Sequence, residues 1–193
     1  MEITTSISTQ RFSHKPTQEE KKNLYFEVKT IEVKQLYHHV INGGAFNNIY
    51  DLKGTFMFKG KGIKTDHYIG TQTINIDLDH QNETMEKCYE RVTDRPTFCY
   101  ATSSNGKVNE KTGIVEYAYR FIYVLDSILQ GKESYKELYS LICTRNRLDY
   151  DPRASNPYQN MFGCANCESR YTAKIYSVHD FGFQNHININ NNQ

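Results

Sequence analysis

The sequence predicts an α+β fold with α/β-like alternation, built on a central mixed sheet. Strand-length runs of β-branched and aromatic residues recur along the chain, and segments with apolar residues at helical spacing separate them. The size agrees: 193 residues, 38% hydrophobic and 23% charged, fit a single soluble domain over residues 1–193 with a real core.

Taken in order, the segment "PTQEEKKNLYFEVKTIEVKQLYHHVINGG" predicts one or two elements closing at Gly43-Gly44. Leu36, Val40 and Ile41 have helical spacing, and paired glycines stop a helix. Thr55 to Phe58 reads as a strand, followed by a lysine- and glycine-rich turn and the strand "YIGTQTINIDLD". Glu83 to Val92 reads as a helix, and "RPTFCYATSS" as a strand entering a polar loop. "NGKVNEKTG" is an exposed turn. "VEYAYRFIYVLD", dense in tyrosine, valine and isoleucine, is the clearest strand. "SYKELYSLICTRN" places Leu138, Leu141 and Ile142 at helical spacing, and short strands and loops follow from Asp149.

A formal net charge of +1 removes any whole-chain electrostatic case for nucleic acid, so a basic surface must be local. No apolar run is long enough to cross a bilayer. "MEITTSISTQRFSHK" lacks the pattern of a signal peptide. Five scattered cysteines point to reduced thiols in a cytoplasm. The asparagine-rich end, residues 187–193, reads as a disordered tail or a linker.

The chemistry starts at "TINIDLDHQ". Side chains alternate along a strand, so Ile74, Ile76 and Leu78 share one face while Asn75, Asp77 and Asp79 share the other. The two aspartates stand roughly 6–7 Å apart at Cα, given about 3.3 Å of rise per residue. Neighbouring carboxylates repel, and a divalent ion relieves that repulsion, so the pair fits a Mg²⁺ or Mn²⁺ site. Taken alone, the pair better fits a solvated sheet face or a strand end. Aspartate is disfavoured inside strands, which favours function.

Three segments keep it company: "PTFCYATSSNG" with Ser103 and Ser104, "YAYRFIYVLD" with Arg120, and "DYDPRASNPYQNMFG" with Asp149 and Asp151. In this order they resemble the motifs of the archaeo-eukaryotic primase superfamily, in its phage and plasmid primase-polymerase branch. The resemblance covers roughly Tyr68 to Gly163. It implies a catalytic palm with a mixed or antiparallel sheet like that of an RNA-recognition motif, packed on helices, plus an N-terminal α/β unit. It implies a DNA primase or DNA polymerase that uses two divalent ions, Mg²⁺ or Mn²⁺, a single-stranded DNA template and NTP or dNTP, in the host cytoplasm and in partnership with a replicative helicase. By the match, Asp77, Asp79 and Asp151 are the catalytic metal ligands, Asp151 because Asn156-Pro157 follow it, with Asp149 as fallback. Ser103, Ser104 and Arg120 are then the nucleotide-binding residues, meeting the triphosphate.

The chain departs from the family pattern twice. Many members carry a histidine two residues after the serine, where this chain has Asn105 or Gly106. The arginine after the third aspartate is Gln159, which removes a bidentate phosphate donor. These departures leave open a replication-initiator or DNA-binding module of the same fold without the chemistry. A nuclease or a D-x-D glycosyltransferase has the aspartate pair as its sole support.

Arg120 has a second reading, a strand-face salt bridge with Glu116 or Asp126. Ser103 and Ser104 also suit a turn before Gly106. Lys53, Lys59, Lys61 and Lys64 fit a template path or a lysine-protected sheet edge. Cys164 and Cys167 have metal-knuckle spacing, with Cys143, His179 and His186 as conceivable partners, but free thiols are favoured over zinc. His38 and His39 face different ways in a helix. Most of the fifteen tyrosines are expected as half-buried strand residues with satisfied hydroxyls.

Overall fold

The computed structural model describes residues 1–48, 57–59 (backbone only), 68 and 70–184. The expected tail, Lys53, Lys61, Lys64, His186 and the start of the Thr55–Phe58 strand lie outside the described residues.

The N-terminal part runs β1 (Glu2–Arg11), α1 (Gln18–Asn23), β2 (Tyr25–Glu32), α2 (Val33–Ile41), β3 (Gly44–Asn47) and β4 (Met57–Lys59). The stretch before Gly43-Gly44 therefore holds three elements rather than one or two. Thr17 caps α1 with a reciprocal capping box to Glu20. Leu36 and Val40 of α2 are buried, and Gly43 ends the helix at φ +83°. His39 is buried against Ser8 and the Ala45 carbonyl while His38 is exposed, as helical geometry requires.

Next come β5 (Gly70–Gln81), α3 (Met85–Arg91), β6 (Phe98–Ala101), β7 (Lys107–Val108), β8 (Val115–Gln130), α4 (Lys132–Arg145), β9 (Met161–Phe162), β10 (Ser169–Tyr171) and β11 (Ile175–Tyr176). The "NGKVNEKTG" turn contains a strand, because Lys107 and Val108 pair with Glu116 and Val115 of β8.

Two sheets result. The first has the order β4-β2-β1-β3-β9, entirely antiparallel, so β9 returns from the last third of the chain to close the N-terminal sheet. The second centres on β8, with β5 on one side and β6, then β10, on the other; the parallel β11 also pairs with β8. The architecture is α+β with antiparallel sheets and few helices.

β8 is the hub because its residues serve two cores. Tyr119, Phe121, Tyr123 and Leu125 join Ile74, Ile76 and Leu78 against α3 and α4. Ile122 and Val124 join Phe98, Tyr100, Phe46, Leu36 and Ile3 between the sheets. This is strict period-two alternation. On α4 the buried residues are Tyr135, Leu138, Tyr139, Ile142 and Cys143, a helical stripe that faces β5. Two tyrosines thus complete the face that Leu138 and Ile142 define, and Leu141 packs at its margin.

Those tyrosines also protect a sheet edge. Among the described residues β5 pairs with β8 alone, so its outer N–H groups need acceptors. The Asn75 N–H donates to the Tyr135 hydroxyl at 3.3 Å, and the Asp77 N–H to the Tyr139 hydroxyl at 3.4 Å. Residues two apart on a strand and four apart on a helix are both separated by about 6–7 Å, so the two spacings match.

Candidate functional site

Asp77 on β5 stands directly opposite Arg120 on β8, and Tyr100 on β6 stands opposite Arg120 on the other side. Arg120 Nε donates to Asp77 Oδ1 at 2.9 Å, and its Nη1 donates to the Phe162 carbonyl at 2.6 Å and the Tyr100 hydroxyl at 3.4 Å. Gln159 Nε2 donates to Asp77 Oδ2 at 3.3 Å. The two charged side chains are only 12% and 9% exposed. This is a buried, multiply hydrogen-bonded ion pair. The strand-face partner of Arg120 is therefore Asp77, not Glu116 or Asp126; Glu116 is taken by His80 and Asn109. Burial pushes the Tyr100 hydroxyl up to about 12, against the pull of Arg120.

Asp79 behaves differently. The β5–β8 register slips between Leu78 and Gln81, and His80 adopts φ +57°. This bulge turns the strand end outward, so Asp79 is exposed while Asp77 is buried. Desolvation and then the Asp77 charge raise the carboxyl pKa of Asp79, with Arg120, His80 and Lys15 opposing. Gln81 Nε2 donates to the carbonyls of Asp79 and Asp149, at 2.9 and 3.0 Å, and so ties the 149–151 segment to the strand end.

A cavity of about 520 Å³ opens there, lined by Asp77, Asp79, Asp151, Arg153 and Gln159 among others. Asp151 shares it with the D-x-D pair, and Asp149 is not among its lining residues. The Asp151 carboxylate caps the turn at Pro152–Ala154 and pairs with Arg153 at 2.9–3.0 Å. Those bonds hold it below the usual carboxylate range. Among the described residues no three His, Cys, Asp or Glu groups are gathered closely enough to hold a metal ion. The three carboxylates thus face one cavity, with Asp77 and Asp151 each engaged by an arginine.

Ser103, Ser104 and Arg120 do come together. They line a smaller cavity of about 110 Å³ with Lys15, Lys21, Phe162 and Gly163, and Asp79 borders both spaces. The serine loop is held from behind: Asn105 Oδ1 accepts from the Ala118 N–H at 3.1 Å, and the Gly106 N–H donates to the Glu116 carbonyl. Asn105, one of the two positions at which the resemblance would expect histidine, is thus a turn-forming residue. Gly163 is fixed by close backbone approach, since a Cβ there would lie 2.0 Å from the Val40 carbonyl oxygen and 2.4 Å from that of Gly44.

Lys15, Lys21, His80 and Gln81 line or build the site and carry no signal in the sequence. Lys15 and Lys21 arrive from the N-terminal unit, and the bulge that exposes Asp79 has no glycine to mark it. Cys164 and Cys167 are half-buried neighbours, and burial with Cys164 alongside pushes the Cys167 thiol up to about 12. Cys143 lies in the helix-side core, and His179 Nδ1 meets the Phe183 carbonyl. Among the described residues no helix is long and apolar enough to cross a membrane.

No protein-family model matches the chain, and no curated protein does. Among solved structures it is similar to the AEP domain of the cyanophage S-2L primase-polymerase (PrimPol). The TM-score is 0.50 at 14% identity, over 92% of this chain and 86% of that one. The likeness is one of fold: the mixed α+β architecture is similar to that of this domain.

Proposed function

We propose that the protein is a template-dependent nucleotidyltransferase, a DNA primase or polymerase of a phage or plasmid replication system. The observation that carries the reading is the single cavity shared by Asp77, Asp79 and Asp151 beside a hydroxyl- and lysine-lined pocket, on a palm-like fold. The donor set suits a hard divalent cation. Two carboxylates crowd one strand end, desolvation and then the Asp77 charge raise the pKa of Asp79, and a cation there relieves the repulsion between them. Asp77 and Asp79 would hold Mg²⁺ or Mn²⁺, and Asp151 would complete the set from across the cavity. The bound ions would lower the pKa of the attacking 3′-hydroxyl and neutralise charge on the phosphates.

The chain's own groups do the positioning. Arg120 fixes the Asp77 carboxylate in place, and the Ser103 and Ser104 hydroxyls donate to phosphate oxygens of the incoming NTP or dNTP. The 3′-oxygen of a strand paired to single-stranded DNA attacks the α-phosphorus in line. The new P–O bond forms as the bond to the β-phosphate oxygen breaks, and pyrophosphate leaves. A replicative helicase would supply the single strand.

Asp79→Asn is the direct test, because Asp79 is exposed and its loss leaves no buried charge unpaired. Nucleotide incorporation on a primed single-stranded template with Mn²⁺ should fall at least about 10³-fold, the scale on which key catalytic groups act. Incorporation at the wild-type rate overturns the reading.

A second reading is favoured by one observation: Asp77 and Asp151 already have arginine partners. A palm that binds DNA without chemistry predicts DNA binding indifferent to Mg²⁺ and no nucleotide incorporation by the wild type.

A further inference from the structure

Arg120 is committed. Its Nε and Nη2 face Asp77, its Nη1 serves the Phe162 carbonyl and Tyr100, and the side chain is 12% exposed. A phosphate reaching the Ser103–Ser104 pocket therefore meets an arginine with four of its five N–H donors already directed at Asp77, Phe162 and Tyr100. Yet the pocket has two further cations. Lys15 Nζ lies 3.5 Å from the Ser104 hydroxyl, and Lys21 Nζ lies over the Phe162 ring, 5.2 Å from its centroid. Among the described residues the lysine ion pairs involve Lys29 and Lys136, so neither Lys15 nor Lys21 has a carboxylate at ion-pair distance.

Their backbone is anchored. Buried Pro16 follows Lys15, and Thr17 and Glu20 form the capping box that starts the helix carrying Lys21. A neighbouring cavity of about 270 Å³ shares Lys15, Ser104 and Asp79 with the serine pocket and adds Lys107. Lys15 thus stands at the junction of the two cavities. Unpaired ammonium groups, two hydroxyls and an aromatic wall make a receptor for a condensed phosphate.

From this we propose that Lys15 and Lys21, supplied by the N-terminal unit, are the anion-binding cations of the cleft, and that they hold the polyphosphate tail of a nucleoside triphosphate. The identity of the ligand rests on the nucleotidyltransferase reading; the anion site stands on its own geometry. It assigns Arg120 to positioning Asp77 and the lysines to the tail.

The test is calorimetric titration of sodium tripolyphosphate, without metal or template, into wild type, Lys15→Ala, Lys21→Ala, Lys15→Arg and Lys22→Ala, each also on the Asp79→Asn background. Each alanine at 15 or 21 should weaken binding about tenfold, the scale of one charge-assisted contact. Lys15→Arg should restore it, and Lys22→Ala, on the same helix outside the pocket, should change it by less than about twofold. Asp79→Asn should tighten binding, since its carboxylate borders the same space. Binding unaffected by either lysine, or no binding on either background, overturns the site. So does a loss on alanine substitution confined to a single-stranded oligonucleotide, which would mark a nucleic-acid backbone as the ligand. Incorporation assays fail independently: a wild type that extends primers while both alanine variants bind tripolyphosphate normally keeps the enzyme and loses this site.

Discussion

On its helix side, β5 sends Ile74, Ile76 and Leu78 into an apolar core with α3 and α4, whereas on its opposite side the same strand buries Asn75 and Asp77 under the N-terminal sheet. The first face is held by contact area. The second is held by pairing: Asp77 with Arg120 and Gln159, and Arg120 with Phe162 and Tyr100. A polar group on that face is stable only if its partners are supplied, and the two faces should therefore fail differently when broken.

The largest expected effect is on the polar face. Asp77→Leu strands the buried Arg120 charge and should lower unfolding free energy by about 3–5 kcal/mol. Arg120→Met should do comparable harm by stranding Asp77. The double variant Asp77→Leu/Arg120→Met should lose less than either single change, because the pair is removed together. Urea titrations of the four proteins measure this, and additive losses would show that the pair is not coupled. On the apolar face, Ile76→Ala should cost about 2–5 kcal/mol, and Ile76→Val only about 0.5–1.5, a graded response set by lost methylenes and cavity.

Tyr139→Phe sharpens the contrast, since it touches the apolar face through one polar atom. It leaves the outer Asp77 N–H without an acceptor at the sheet edge and should cost about 1–3 kcal/mol by chemical denaturation. Asn75 should respond with the opposite sign. The residue is 1% exposed, and among the described residues neither side-chain amide atom has a hydrogen-bond partner. Asn75→Leu, which keeps the same branched four-heavy-atom side chain, should raise the urea midpoint, by about 1–2 kcal/mol in stability. A loss there would mean that the amide is satisfied by something the protein binds.

The same contrast explains what could be read from the residues alone. The apolar faces of β5, β8 and α4 were legible because burial on a regular element leaves a period in the sequence. β1 was not: "EITTSISTQR" is too rich in hydroxyls to show a clear apolar stripe. It is nonetheless a central strand, because Thr5 and Ser8 return their hydroxyls to the Asn47 and Gln10 carbonyls and threonine suits a pleated sheet. In the site, the motif order named residues that the fold gathers around adjoining cavities. The pairing of Asp77 with Arg120 depends on the β5–β8 register, and the entry of Lys15 and Lys21 depends on how two sheets dock. Neither register nor docking leaves a local pattern. The departures at Asn105 and Gln159 were visible, but the uses of these residues, holding Ala118 and Asp77, were not.

The smallest expected effect separates the two aspartates of the D-x-D. Asp79 has its pKa raised by desolvation and by the Asp77 charge. A raised carboxyl pKa means that the folded state binds the proton more tightly than the unfolded chain, so stability falls as pH rises from the unfolded value through the folded one. Above that window the penalty is constant, and below the unfolded value it vanishes. Asp79→Asn should therefore be more stable than wild type near pH 7, by no more than about 1 kcal/mol once solvent screening of an exposed group is counted, and the gain should disappear near pH 3. Mn²⁺ acts on the same repulsion: it should raise the wild-type Tm near pH 7, lose that effect as Asp79 takes up its proton, and leave the Asp79→Asn Tm nearly unchanged. Thermal melts of the two proteins with and without Mn²⁺ across that range measure both signs, and a wild-type Tm indifferent to Mn²⁺ at neutral pH would leave the raised pKa as a property of crowding alone, with no cation to relieve it.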